Sequence, residues 1–102
     1  MIGEREKRLK ALANTHRLQI LEWLKAPTKH FRPQVDGDLE SDGVCAVLIE
    51  EKLGLAQPTT AQHLKALVDA GFLIPRRIKK WTFYRRDEKV IRKFIKELKK
   101  EV

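Results

Sequence analysis

The sequence predicts a mainly α fold with a β-hairpin, in the order α-α-α-α-β-β-α. Three observations carry this. Apolar residues recur at helical spacing along most of the chain. Residues 53–67 read as a helix end, a tight turn at Gly54, and a second helix whose first turn is polar. Residues 72–78 and 81–85 have β-type composition and flank the short link Lys79-Lys80. Helix, turn, helix and then hairpin is the layout of a winged helix-turn-helix, in which the second helix of the pair enters the DNA major groove.

Each element has a local cause. Residues 4–13 form a helix with Leu9, Leu12 and Ala13 along one side. Asn14-Thr15 interrupts it, and either residue can cap the next helix, at about 16–26. That helix holds Leu18, Ile20, Leu21, Trp23 and Leu24, an apolar face wide enough to be central to the core, and Pro27 ends it. Residues 27–43 form an extended acidic loop with two prolines and two glycines, longer than most connections in compact domains. Residues 44–53 read as a third helix, capped by Ser41 or Asp42 and closed by Gly54. Pro58 suits the first turn of a fourth helix, which runs to about Ala70 and stops at Gly71. Asp87 can cap a last helix whose stripe is Val90, Ile91, Phe94, Ile95 and Leu98. The 102 residues make a single domain.

Charge and composition narrow the function. Lys plus Arg number 22 against 14 Asp plus Glu, a net charge of +8. A small domain this basic faces a polyanion or simply carries a solubilising surface. One cysteine excludes an intramolecular disulfide and suits a reducing compartment. There is no signal peptide and no apolar run of about 18 residues, so a cytoplasmic protein with no membrane partner is expected. His16, His30 and His63 are scattered without ligand spacing. No Ser, His and acid arrangement and no Gly-rich phosphate loop is present, so neither an enzyme nor a cofactor is expected. Asp36, Asp38, Glu40 and Asp42 alternate like part of a calcium loop, but Ile49 stands where the closing acid belongs. That segment reads as a solvated loop. Cys45, in the first turn of its helix, reads as a small apolar residue packed with Leu48 and Ile49. The alternative is a redox-active thiol activated by the helix N-terminus.

The fourth helix carries the main functional signal. Ala61, Leu64, Leu67 and Val68 fall on one side and Thr60 leans the same way. Thr59, Gln62 and His63 project oppositely near the helix start, where side chains reach base edges. Gln57, Thr60 and Lys65 would position the helix. Arg76, Arg77, Lys79, Lys80, Arg85 and Arg86 surround the hairpin, and the first four are the expected phosphate ligands. Trp81 and Phe83 read as core residues, with Tyr84 beside them. Double-stranded DNA is the expected partner; the alternative is a winged-helix module for protein or RNA interaction.

Residues 8–21, which contain Asn14-Thr15-His16-Arg17-Leu18, and residues 54–67, which contain Gln62-His63-Leu64-Lys65-Ala66-Leu67, resemble the ArsR/SmtB family of bacterial winged-helix transcriptional repressors. Residues 69–73 and 77–84 extend the match. The resemblance implies a homodimer built from the first and last helices, residues 1–13 and 87–102, with Leu9, Leu12, Ile91, Phe94, Ile95 and Leu98 at the interface. It also implies an inverted-repeat operator and release by an inducer, often a metal ion. The family's metal sites do not carry over. Cys45 and Val47 stand where metal sensors have a Cys-x-Cys pair, and residues 87–102 lack histidine. No metal is therefore expected, and the inducer is left open. Ala61 stands where Ser is common, and Lys79 where a wing Gly is common.

Overall fold

Asn14 separates the first two helices, α1 (Glu4–Leu12) and α2 (Thr15–Lys25), in the computed structural model, which describes residues 3–102. The Asn14 side-chain oxygen accepts from Arg17 N at 3.2 Å and so satisfies a free donor of the first turn of α2. Met1 and Ile2, part of the expected dimerisation segment, lie outside the described residues. Pro27 ends α2 as expected and also starts a single turn, α3 (Pro27–His30), where its missing N–H costs nothing. This turn falls within the segment expected to be loop.

A second difference is larger. Val44 and Cys45 form a short strand, β1 (Val44–Cys45), so α4 (Ala46–Leu53) begins two residues later than expected. Cys45 occupies the N-cap position, and no side chain caps the helix. Ser41 and Asp42 are therefore not its caps. After α4 come α5 (Gln57–Asp69), β2 (Leu73–Ile78), β3 (Trp81–Arg86) and α6 (Glu88–Glu101). The sheet order is β1-β3-β2, antiparallel throughout. Val44 lies opposite Tyr84 and Cys45 opposite Phe83. Gly43 permits this approach. Its φ is +106°, and a Cβ there would lie 2.4 Å from the carbonyl of Tyr84.

The hairpin pairs Ile78 with Trp81, leaving the two-residue turn Lys79-Lys80. Lys79 takes φ +56°, the left-handed region that glycine usually fills. The tight wing tip thus forms without glycine. Asp87 caps α6 by accepting from Val90 N at 3.3 Å.

The core gathers Ile20, Leu21 and Leu24 from α2, Ile49 from α4, Leu64 and Leu67 from α5, and Phe72. Phe94 of α6 joins it, with its ring 5.7 Å from that of Phe72. Leu18, expected on the core face of α2, is half exposed, so that face is narrower than the composition suggested. Two arginines tie the layers through backbone carbonyls: Arg8 Nε donates to Ala70 O at 3.0 Å, and Arg86 Nη1 to Leu21 O at 2.9 Å. Among the described residues no helix is long and apolar enough to cross a membrane.

The close approach at Gly43 makes a direct test of the β1–β3 junction. Gly43→Ala combines a forbidden φ with a backbone clash, and we predict a loss of at least about 2 kcal/mol of stability. Urea denaturation checks this; an unchanged midpoint would show that β1 is dispensable.

Candidate nucleic-acid interface

The helix-turn-helix is α4, the turn 54–56 and α5. Gly54 closes α4 in the left-handed conformation at φ +69°, with its N–H donating to Glu50 O at 3.0 Å. Helix α5 then starts at Gln57 behind Ala56, with no side-chain cap and with Pro58 in its first turn. Its first turn therefore offers uncapped backbone donors and the positive end of the helix dipole to an anion.

Gln57, Thr59, Ala61, Gln62 and Lys65 form the exposed face of α5. Gln62 and Thr59 lie where the sequence placed them. His63 does not. It is 9% exposed and faces inward, where its Nδ1 accepts from Arg17 Nε at 3.2 Å. Its ring lies 5.4 Å from that of His16. Thr60 is 2% exposed, which removes it from any phosphate contact, and its Oγ1 has no partner among the described residues. The buried set Thr60, His63, Leu64, Leu67 and Ala70 turns the face relative to the sequence expectation and brings Ala61 outward. The polar His63 is tolerated inside because Arg17 supplies its hydrogen bond.

The wing stands beside this face. A cleft of about 310 Å³ between α5 and the wing is lined by Gln57, Ala61, Lys80, Trp81 and Thr82. Phe83 is buried as expected, but Trp81 is 37% exposed, with the Lys80 ammonium 5.0 Å from its ring. The two residues share one face of β3, as residues two apart do, but Phe83 is covered by the loop at Gly37 whereas Trp81 lies beside the wing tip. The wing cations divide into two groups. Arg77, Lys80 and Arg85 are exposed and make no ion pair among the described residues. Arg76 pairs with Asp42 at 3.1 Å, Lys79 with Asp36 at 3.0 Å, and Arg86 with Glu88 at 2.8 Å. Lys65 of α5 pairs with Asp69 at 2.7 Å. The acidic loop thus lies against the wing rather than in open solvent, a contact nothing in the local sequence announces.

Cys45 is half-buried, and its N–H donates to Gln34 Oε1 at 2.6 Å. No group of three or more potential metal ligands occurs among the described residues. Of the expected dimer residues, Phe94 is buried within its own subunit because it sits on the inner edge of the α6 stripe. Leu9, Leu12, Ile91 and Leu98 are half-buried against the core, and Ile95 is 39% exposed.

A helix-turn-helix whose second helix presents a polar face beside a basic hairpin defines a winged-helix DNA-binding protein. Residues 45–74 match the profile of the bacterial regulatory protein, arsR family. The chain is 46% identical over 93 residues to the HTH-type transcriptional regulator YbzH of Bacillus subtilis, covering 91% of this chain and 93% of the relative. Among solved structures it is similar to a homodimeric winged helix-turn-helix DNA-binding domain from Mycobacterium bovis, described as a possible ArsR-family regulator. The TM-score there is 0.66 at 28% identity, over 96% of this chain and 80% of that one. HlyU from Vibrio cholerae is similar at a TM-score of 0.62 and 26% identity, over 89% of this chain and 84% of that one. The chain belongs to the ArsR family of winged helix-turn-helix transcriptional regulators.

The Arg17–His63 contact gives a pH-dependent expectation. Burial, then the Arg17 guanidinium, then His16 hold the His63 imidazole below its ordinary value of 6.5. The unfolded chain therefore takes up a proton before the folded one does, and stability falls as pH drops from above 6.5 toward the folded pKa, then levels off. Melting temperatures between about pH 7.5 and pH 5 should fall more steeply for the native protein than for His63→Gln. Parallel profiles would remove His63 as the cause.

Proposed function

We propose that the protein is a dimeric repressor that binds an inverted-repeat operator, in a bacterial cytoplasm. Thr59 and Gln62 read base edges, Gln57 helps position α5, and Lys80 and Arg77 hold backbone phosphates. The observation that carries this reading is the exposed Thr59/Gln62 face on the first two turns of α5, with the wing cation Lys80 across the adjoining cleft. Gln pairs bidentately with adenine, and Thr donates to a base or meets a thymine methyl. His63 and Thr60 have no part in it, because both are buried. The dimer rests on the homodimeric M. bovis relative and on Ile95, which stays exposed beside half-buried Ile91. Two recognition helices would then meet half-sites about one helical turn apart.

Fluorescence anisotropy, with the promoter of the protein's own operon against a scrambled duplex at two salt concentrations, tests the proposal. The promoter should bind more tightly and with a steep salt slope. We predict that Gln62→Ala costs about 1–3 kcal/mol on the operator and relaxes specificity there. Lys80→Ala should weaken both duplexes alike and reduce the salt slope by about 1. Equal, weak binding of both duplexes by the native protein would leave a generic polyanion surface and favour an interaction module instead.

A further inference from the structure

We infer that the acidic loop between α3 and β1 is a built-in electrostatic brake on the wing: Asp36 and Asp42 hold Lys79 and Arg76 in intramolecular pairs and withdraw them from DNA phosphates. This rests on the DNA-binding reading above and adds its regulation from within the chain.

The geometry is asymmetric in a way that favours the acids. The Asp42 side chain is 18% exposed and that of Asp36 27%, whereas the Arg76 and Lys79 side chains are 59% and 71% exposed. In each pair the acid is the more enclosed partner. The loop has its own internal frame. Gln34 bridges it, donating from Nε2 to Gly43 O at 3.0 Å while its Oε1 accepts from Cys45 N. Asp38 accepts from Glu40 N, Ser41 N and Ser41 Oγ, and these bonds hold its carboxyl below the usual range. Asp42 Oδ2 accepts from Asp38 N at 2.7 Å. Gly37, at φ +79°, lies so close to the Phe83 ring that a Cβ would stand 2.9 Å from it. The loop backbone is therefore seated on β3 independently of the two ion pairs, and the Asp42 carboxylate is fixed there by Asp38 N.

A phosphate that claims Lys79 or Arg76 must break a pair whose acid is carried on a seated loop, and that acid then stands near the phosphate. Each withdrawn cation removes about 0.9 from the slope of log K against log salt. Lys80, at the same wing tip, has no such acid among the described residues and keeps its full contribution.

The test is a coupling measurement on promoter DNA across a salt series, using the full chain. Asp36 makes no hydrogen bond within the loop, only its pair with Lys79, so Asp36→Asn leaves the frame intact. Asp42→Asn keeps an acceptor for Asp38 N. The double variant Asp36→Asn/Asp42→Asn should bind roughly tenfold or more tighter near 0.1 M salt, with a slope steeper by about 2. Lys79→Ala should lose about 1 more unit of slope in the Asp36→Asn background than in the native one, whereas Lys80→Ala should lose the same in both. Unchanged or weaker binding by the double variant, with native melting behaviour, would overturn the brake and leave the DNA-binding reading standing. A native protein that binds no duplex would overturn both.

Discussion

The pairing of β1 with β3 fixes the wing relative to the recognition helix. Two residues make it, Val44 opposite Tyr84 and Cys45 opposite Phe83. Their consequence is large because β1 runs directly into α4, the first helix of the helix-turn-helix. Strand β3 is therefore bonded on one edge to the hairpin partner and on the other to the segment that aims α4. The hairpin is not a free arm on a two-residue turn. Gly43 makes the contact possible, and the buried Val44 gives it a hydrophobic reason to persist.

The same pairing seats the acidic loop. Once residues 44–45 lie on β3, the chain leading into them must pass over the outer part of the wing, and Gly37 rests on Phe83. Asp36 and Asp42 meet Lys79 and Arg76 as a result. Exposed pairs of this kind are worth about 0–1 kcal/mol to folding, so stability gives little reason for them. Their larger effect falls on a partner that competes for the same cations, and a nucleic acid is such a partner.

Local chemistry was legible in the sequence, and distant chemistry was not. Asn14, Gly54 and Asp87 mark helix ends because a cap or a left-handed residue acts within one turn of itself. The Lys79-Lys80 turn is fixed by flanking strands adjacent in the chain. By contrast, β1 is too short to have a pattern and exists through a partner strand some forty residues away. The face that α5 turns inward depends on distant residues for the same reason. His63 looks outward by composition, but Arg17, 46 residues distant, satisfies it inside. Trp81 and Phe83 look alike in sequence and share a face of β3, and only the loop residue Gly37, distant in the chain, covers one and not the other. Phe94 likewise belongs to the core, because Phe72 meets it there.

These placements change how the charge of the chain should be counted. A net charge of +8 suggests a broad basic surface, and six cations surround the hairpin. Three of the six are engaged: Arg86 ties β3 to α2 and Glu88, and Arg76 and Lys79 face fixed acids. Lys65 on α5 answers Asp69. What remains presented near the recognition helix is narrow, chiefly Lys80 and Arg77 on the wing with the uncapped start of α5. A narrow cationic footprint lowers affinity for every sequence alike and leaves a larger share of the binding energy to contacts that read bases. On the proposed reading, the internal pairing of wing cations would act on DNA binding through what it removes. The residues proposed to read bases, Thr59 and Gln62, would then matter more than the total charge does.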